Sequence, residues 1–428
     1  MKRNKYIKIF AAVLLCYSII MAAICISFDV VNTLKYGAID LRNRVVGARL
    51  LLKGEDPYYF KWNNDTPEYY VDARDFFKDL PVSRLTVPPT FLLLHAPFAG
   101  IPYKTQQILW AIFQWMMLIF MIVIFSKITD SDIRSKIIWI IGLLLIAGSF
   151  FWRLYIEKGQ VYILFAFLIV LAYWISKKDF KYNLLIAGII LGFTLSLRPP
   201  VILMSIPFLI YRKWKVIVGG IIGIIIGIAS SFITADFSIW QNYFSAMKIH
   251  ELFHLGIIQS SISLHPNFNM IEGVKNSVIS GNLPMIDSSF QELFRRYLNV
   301  QVHSNILWIS LIIVILLFSI FLFRKRKQDV SIEMIFFIGL TLVFLSEFFL
   351  PAARLSYNNV IWLPLLSFVI IIPKDLKKLL NFSLIFLFSA FLFNSLYRIF
   401  FKFILLADFC MLLYVIIMMF YLFKKEAD

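Results

Sequence analysis

An acidic residue and several cations lie close together between Asp40 and Tyr59. At a helical period the apolar side chains of this stretch share one face and its cations another, which is typical of a helix in the membrane–water interface. Asp40 begins the stretch, where its carboxylate could cap the helix and pair with Arg44 one turn later. The same carboxylate could instead accept a proton from a hydroxyl group. Gly54 and Pro57 predict the end of the helix.

Arginines at several positions could bind an anionic group. Arg198 precedes two prolines at a predicted helix end, where its guanidinium could hold a phosphate through paired hydrogen bonds or reach lipid head groups. Arg42, Arg44 and Arg354 are further candidates for binding a phosphate. Arg354 lies near the end of a predicted span, where a charge requires a partner.

Uncharged polar residues offer hydrogen bonds in the same connections. Gln160 could bind a ligand, or it could pair with Glu157 as a helix cap. Asn359 could bind hydroxyl groups, or it could serve as a turn residue. Two further acids, Asp29 and Asp56, are alternatives to Asp40 as a proton acceptor, although an aspartate before a proline commonly forms a turn.

A second motif, from His250 to His254, fits the H-E-x-x-H pattern of zinc proteases. On a helix its two histidines would share one face, and Glu251 between them could act as a base. His265 is a possible third ligand, although the glycine of the longer zinc-protease signature is missing. The alternative is a helix at the membrane surface whose histidines face water.

The composition favours a membrane protein over a soluble or nucleic-acid-binding one. The chain has 428 residues, of which 60% are hydrophobic, and its mean hydropathy is +0.80. Its net charge of +17 comes from cations clustered in short connections between apolar runs, so we expect membrane lipids and no nucleic acid as partners. The three cysteines show neither a disulfide framework nor metal-type spacing.

Repeated apolar runs predict an all-α polytopic membrane protein, a single domain over residues 1–428 with about twelve transmembrane helices. The predicted spans are 7–27, 106–126, 137–151, 160–176, 183–197, 200–211, 215–234, 305–323, 332–349, 356–372, 379–397 and 402–423. Segments 137–151 and 200–211 are short, which favours tilted, broken or re-entrant helices. The first span is long and lacks a cleavage site, so we interpret it as a retained anchor.

The distribution of cations predicts the orientation. Over half of the 42 Lys and Arg residues lie in short connections on the same side as the N-terminus, which places both termini in the cytoplasm by the positive-inside rule. Two long loops, about 28–105 and 235–304, then face outward and carry interfacial helices. Asp40 and the connections at 157–160, 198–200 and 354–359 open on the same outer side.

In their order along the chain, these motifs resemble glycosyltransferase family 87, a group of GT-C membrane enzymes that includes polyprenyl-phosphate-mannose-dependent mannosyltransferases. The matching elements are Asp40, Gly-Glu-Asp-Pro-Tyr at 54–58, Val-Pro-Pro at 87–89, Gly-Gln-Val-Tyr at 159–162, Ala-Gly at 187–188, Arg-Pro at 198–199, Trp-Gln-Asn-Tyr at 240–243, Gln-Ser at 259–260 and Ser-Tyr-Asn-Asn at 356–359. The chain departs from the family pattern at Val87, at Tyr162, which replaces an asparagine, and near 356–359, where a histidine is absent.

The resemblance implies an inverting hexosyltransferase of the plasma membrane with a GT-C-like fold. It implies a polyprenyl-phosphate sugar donor, with mannose as the expected sugar, and a lipid-linked or polysaccharide acceptor on the outer face. Asp40 would be the general base, without a metal or another cofactor. The expected donor-phosphate ligands are Arg198, Arg42, Arg44 and Arg354, and the expected sugar or acceptor ligands are Gln160, Tyr58 and Asn359.

Three other functions remain open from the residues. A transporter or flippase would need polar residues in the middle of spans, whereas Glu347 is the main such residue and lies near a span end. A non-catalytic lipid-glycan binding protein is compatible with the substituted family positions. A membrane zinc metalloprotease depends on the segment from His250 to His254 alone.

Overall fold

The computed structural model describes residues 2–60, 85–254, 287–350, 354–373, 380–396 and 403–427. Within these ranges the chain is helical, and extended pairing is limited to an isolated antiparallel bridge between Asp287 and Leu355. The helices are α1 (Lys2–Tyr36), α2 (Ile39–Leu52), α3 (Pro89–His95), α4 (Tyr103–Ile128), α5 (Asp132–Ile140), α6 (Phe150–Lys158), α7 (Tyr162–Ser176), α8 (Asn183–Leu197), α9 (Ser205–Ile210), α10 (Trp214–Ser231), α11 (Ser238–His254), α12 (Phe290–Leu298), α13 (Ser304–Arg324), α14 (Ile332–Ser346), α15 (Trp362–Ile371), α16 (Leu380–Ser395) and α17 (Phe403–Ala427). A π-helix, Ile141–Ile146, continues α5, and 3₁₀ turns, Pro199–Met204 and Ser356–Ile361, precede α9 and α15.

The described residues of the twelve predicted spans lie mainly in helices, which confirms the all-α fold class. Within the described ranges five helices are long and apolar enough to cross a membrane, in α1, α4, α10, α13 and α17. Helix α5, extended by its π-helix, meets α6 at a bend of 65°. Counted as one broken span, these helices would be a sixth. The other apolar helices have 10–17 residues, so the count of twelve spans stays a prediction.

The core of the molecule surrounds α14. Every residue of this helix from Met334 to Ser346 is buried, because its sequence is apolar on all sides and leaves no face suited to water. Phe368 of the neighbouring α15 packs against Tyr173 with the ring centroids 4.9 Å apart. By contrast, only 17% of the apolar window of α13 is buried inside the protein, as suits a peripheral helix that faces lipid.

Helices α8 and α10 touch backbone to backbone. A Cβ atom added at Gly192 would lie 1.9 Å from the carbonyl oxygen of Gly220, and one added at Gly223 would lie 2.1 Å from that of Ile189. Such close approach through glycines is a common way for membrane helices to associate. Arg198 follows the last residue of α8, so this contact helps to fix where Arg198 lies.

The structure corrects the expected environment of α2. We predicted an interfacial helix with one apolar face, but every residue from Leu41 to Leu51 is buried, and Leu52 is exposed at the end. The arginines lie inside because backbone carbonyls accept their hydrogen bonds: Arg49 donates from Nε to Ala99 at 2.9 Å, and Arg44 donates to Gly159. The helix is therefore an internal element of the protein.

Candidate functional site

Asp40 lies in the first turn of α2, and its carboxylate accepts a hydrogen bond from Nε2 of Gln160. The N-cap position belongs to Ala38, whose φ is 46°, and no side chain caps the helix. The expected capping role of Asp40 is therefore wrong. The side chain points instead to the connection between α6 and α7, and it keeps a partly exposed surface.

The backbone of Gln160 is held by a group of donors around its carbonyl oxygen. This oxygen accepts hydrogen bonds from Gln114 Nε2 at 2.7 Å, from Tyr155 Oη at 2.9 Å and from Trp110 Nε1 at 3.2 Å. Three donors on one carbonyl leave its peptide little freedom to rotate. The arrangement therefore keeps the Gln160 side chain directed at Asp40.

Gly159 allows α2 and this connection to come together. It ends α6 in the left-handed conformation with φ of 65°, which glycine adopts without strain. A Cβ atom here would lie 2.7 Å from the Cβ of Leu41, so the space also requires glycine. Its carbonyl oxygen accepts the hydrogen bond from Arg44, which ties α2 to the connection at a second point.

Burial opposes ionisation in this part of the site. It raises the pKa of Asp40, while the positive charges of Lys158 and Arg44 act in the opposite direction. Burial also lowers the pKa of Arg44 to about 10, so its guanidinium stays charged at neutral pH. Burial, assisted by the charge of Arg44, lowers the pKa of His95 to about 3, so His95 is neutral there.

A second group of charged residues lies around Arg198, between α8 and α14. The guanidinium of Arg198 pairs with Oε1 of Glu347. It also lies 4.5 Å from the ring centroid of Tyr162, close enough for a cation–π contact. The rings of Tyr162 and Tyr357 are 5.5 Å apart, and both side chains lie within electrostatic range of Asp40. Tyr162 thus connects the Asp40 region with the Arg198 region.

Arg354 lies behind Glu347 and is only 1% exposed. Its Nη1 donates to Asp408 at 2.7 Å and to Ser288 at 2.8 Å, and its Nη2 donates to Asn359 at 2.8 Å. Its Nε is 3.6 Å from Oε2 of Glu347. Arg354 therefore connects α14, α17 and the segment before α12.

A pocket opens where these elements meet. Its polar lining is Tyr162, Arg198, Glu347 and Asn358, and its apolar lining comes from α7, α14 and the segments beside α9 and α15. The space between these side chains that is not filled by atoms amounts to about 290 Å³, and part of it is open to solvent. A charged end joined to an apolar wall suits a ligand that is anionic at one end and hydrocarbon at the other.

The structure brings three of the predicted site residues together. Gln160 donates to Asp40, and Arg44 donates to the carbonyl oxygen of the adjacent Gly159. Arg198 lines the pocket beside Tyr162. Arg354 and Asn359 lie in the network behind that pocket, and Arg42 is buried on α2.

Tyr58 lies beyond the far end of α2, a helix about 20 Å long by its 14 residues. Its hydroxyl group donates to the carbonyl of Val87 at 2.8 Å. The structure therefore does not bring Tyr58 together with Asp40.

The alternative acids have structural partners. Asp29 is fully buried, and its Oδ2 accepts hydrogen bonds from the indoles of Trp115 and Trp152 at 3.1 and 3.2 Å. Asp56 accepts from the backbone N–H of Tyr58 at 2.8 Å, the turn geometry expected before a proline. Neither acid lines the pocket, and Asp40 is not among its lining residues either.

The segment from His250 to His254 is helical, as the zinc motif requires. The described parts of the chain contain no group of three or more His, Cys, Asp or Glu residues placed to hold a metal ion. His265 lies outside the described residues, so the zinc hypothesis remains untested, and the same applies to the resemblance at 259–260.

The rest of the site left only partial signals in the amino-acid sequence. Glu347 stood out as an acid in an apolar span, but its partners Arg198 and Arg354 are distant in sequence. Asp408, in the last apolar helix, could have been found by the rule that a charge inside a span requires an opposite charge. Tyr162 was marked only by its departure from the family pattern, and Ser288 carried no signal of its own.

A family model described as glycosyltransferase family 87 matches residues 86–346, more than half of the chain. The chain belongs to glycosyltransferase family 87. It is therefore a glycosyltransferase, and its apolar helices make it a multi-pass membrane protein. Among the residues of the site, Gln160, Tyr162 and Arg198 lie within the match, Asp40 precedes it, and Glu347 directly follows it. No curated protein and no solved structure matches the chain.

Proposed function

We propose that this family 87 glycosyltransferase transfers a hexose, with mannose as the first candidate, from a polyprenyl-phosphate donor to a lipid-linked or polysaccharide acceptor on the outer face of the plasma membrane. The observation that carries the proposal is the position of Asp40, which Gln160 holds within electrostatic range of Tyr162, a residue that lines the pocket together with Arg198. A base and a phosphate-binding cation at adjoining positions are what glycosyl transfer from a lipid phosphate requires.

The chemistry of the pocket supports this donor class. Its polar end holds Arg198, whose guanidinium can bind phosphate oxygens in pairs. Its apolar wall suits the hydrocarbon next to the phosphate. A nucleotide-sugar donor would gain nothing from such a wall, and the predicted outward orientation would separate the site from cytoplasmic nucleotides.

The proposed reaction inverts the anomeric centre. The acceptor hydroxyl oxygen attacks the anomeric carbon as Asp40 takes the hydroxyl proton. The bond between the anomeric carbon and the phosphate oxygen breaks on the opposite face, and its electron pair leaves with the polyprenyl phosphate. Arg198 stabilises the negative charge that develops on the leaving phosphate.

The remaining residues support these two roles. Arg44 stabilises the ionised form of Asp40, and Gln160 orients its carboxylate. Arg354 acts on the phosphate through Glu347, and Asn359 holds Arg354 in place. Arg42 adds positive charge on α2. Because Tyr58 lies far from Asp40, it could contact only a part of the acceptor that is remote from the reacting hydroxyl group.

The test is sugar transfer by the purified protein with labelled polyprenyl-phosphate mannose or glucose and a lipid extract from the source cells. Asp40→Asn keeps the size of the side chain and its ability to bond Gln160, but it removes the basic carboxylate. We expect transfer to fall by about 100-fold or more, since a positioned general base contributes roughly 100- to 10,000-fold. Asp29→Asn and Asp56→Asn are matched controls that remove the alternative acids and should leave transfer measurable.

Each outcome has a distinct meaning. Loss of transfer only in Asp40→Asn supports both the class of donor and the base. Full transfer in Asp40→Asn would show that Asp40 is not the base, and loss in one of the other variants would identify a different acid. Transfer from neither donor, in wild-type protein that is folded, would overturn the proposed donor class.

A further inference from the structure

Glu347 is a buried acid placed between two arginines. It is 4% exposed and lies just after the end of α14. Its Oε1 pairs with Arg198, whereas its Oε2 has no hydrogen-bond partner among the described residues. A carboxylate oxygen that is buried without a hydrogen bond is costly, so a nearby donor will attract it.

The nearest such donor is the Nε of Arg354, 3.6 Å from Oε2 of Glu347. This Nε is also buried and makes no hydrogen bond within the described part of the chain. The two other nitrogens of the guanidinium are held by Asp408, Ser288 and Asn359. Arg354 is therefore fixed in place, and its Nε is the donor that remains available to Glu347.

The two arginines differ in access. Arg198 and Glu347 line the pocket, and Arg354 does not. An anion that enters the pocket therefore meets Arg198 first, at the guanidinium that Glu347 already occupies. The anion and Glu347 must compete for the same positive charge.

We propose that Glu347 is an exchangeable counter-ion of the donor site. In the empty site it neutralises Arg198, and when a lipid phosphate binds Arg198 it turns to the Nε of Arg354. The exchange needs Glu347 Oε2 to approach that nitrogen from 3.6 Å to about 2.8 Å, the usual length of a charge-assisted hydrogen bond. The proposal rests on the proposed function, because it takes Arg198 as the phosphate-binding residue.

The exchange explains how the site can release its product. A polyprenyl phosphate that leaves the reaction carries more negative charge than the sugar-bearing diester, and an unopposed arginine would hold it tightly. Return of Glu347 to Arg198 displaces the product phosphate. Glu347 is thus a positioning residue that sets donor and product affinity through Arg198 and Arg354.

The test is direct binding of a radiolabelled polyprenyl phosphate to the full-length protein in nanodiscs, which needs no transfer. In Glu347→Gln nothing competes for the charge of Arg198, so we expect the phosphate to bind about tenfold more tightly, the effect of one modest charge interaction. A purely structural ion pair predicts the opposite sign, because its loss would disturb the pocket and weaken binding.

Glu292→Gln is a matched control. Glu292 is also buried and also pairs with two arginines, Arg295 and Arg296, but it does not line the pocket. The same Glu-to-Gln change there should leave the affinity within about twofold, because Glu292 pairs with arginines other than Arg198 and lies outside the pocket lining. Adding Arg198→Met to Glu347→Gln should abolish the gain, because the two residues act as one unit.

A second variant covers the case in which Glu347→Gln does not fold. Asp408→Asn keeps an oxygen acceptor for Arg354 but removes the negative charge, so Arg354 draws Glu347 more strongly and frees Arg198. We expect tighter phosphate binding here too, by a smaller factor. Wild-type binding that neither variant tightens would overturn the exchange alone, whereas a wild-type protein that binds no polyprenyl phosphate would overturn the proposed function and the exchange together.

Discussion

Asp40, the proposed general base, is subject to two opposing influences on its charge. Burial disfavours its charge and raises its pKa, while Lys158 and Arg44 favour the charged form. A base with a raised pKa is a stronger proton acceptor once it is ionised. The two neighbouring cations keep enough of it ionised to act, so they should control the pH range in which the enzyme works.

This balance predicts a shift in the pH profile when Lys158 is replaced. Since the base acts in its ionised form, transfer falls as pH decreases through the raised pKa of Asp40. Lys158→Met removes a charge that lowers this pKa, so the acid limb of kcat/KM should move to higher pH. Lys178→Met, an exposed cation near Trp174, is the control and should leave the limb in place. Identical profiles for all three proteins would argue against Asp40 as the titrating base.

The elements of the fold were predictable where the signal is local. Every long apolar run became a helix, because length and hydropathy alone decide such segments. The environment of α2 was not predictable, since its charged face is satisfied by carbonyls far along the chain, such as that of Gly159. The pairing of Arg198 with Glu347 joins residues 149 positions apart, and no periodicity reports such a contact.

The glycine contact between α8 and α10 yields a prediction about these two elements. Gly192→Ala would place a Cβ atom 1.9 Å from the Gly220 carbonyl oxygen, so the helices must separate. We expect the free energy of unfolding to fall by about 1–3 kcal/mol, as in overpacked cores. We also expect the KM for the donor to rise, because Arg198 follows α8. Thermal unfolding in detergent and donor titrations measure the two effects.

Gly220→Ala is the matched control on the opposite helix. Its added Cβ would have only the Gly188 carbonyl oxygen near it, at 3.9 Å, which is an ordinary contact. This variant should unfold at or slightly above the wild-type temperature, since alanine favours a helix. An equal loss of stability and an equal rise in KM in both variants would mean that the contact between the helices does not position Arg198.

At the scale of the whole molecule, buried charges connect helices that are distant in sequence. Arg198, Glu347, Arg354 and Asp408 alternate in sign, and they lie at or near the ends of α8, α14, α15 and α17. Tyr162 links Asp40 with this network, because its side chain lies within electrostatic range of Asp40, Arg198 and Glu347. Tyr162 also follows the Gly159–Gln160 connection closely in the chain. Polar groups at the ends of apolar helices fit the proposal that the chemistry takes place at one membrane surface.

The side of the membrane on which the site opens decides which sugar donors can reach it. The distribution of cations predicts the outer side. In a background with Cys16, Cys25 and Cys410 replaced by alanine, Lys53→Cys follows α2 on the predicted outer side, and Arg326→Cys lies in the predicted cytoplasmic cation cluster. Both positions are exposed. A membrane-impermeant maleimide should label Lys53→Cys in intact cells, and it should label Arg326→Cys only after the membrane is made permeable. The reverse pattern would place Asp40 and Arg198 beside cytoplasmic nucleotide sugars, and the need for a lipid-borne donor would disappear.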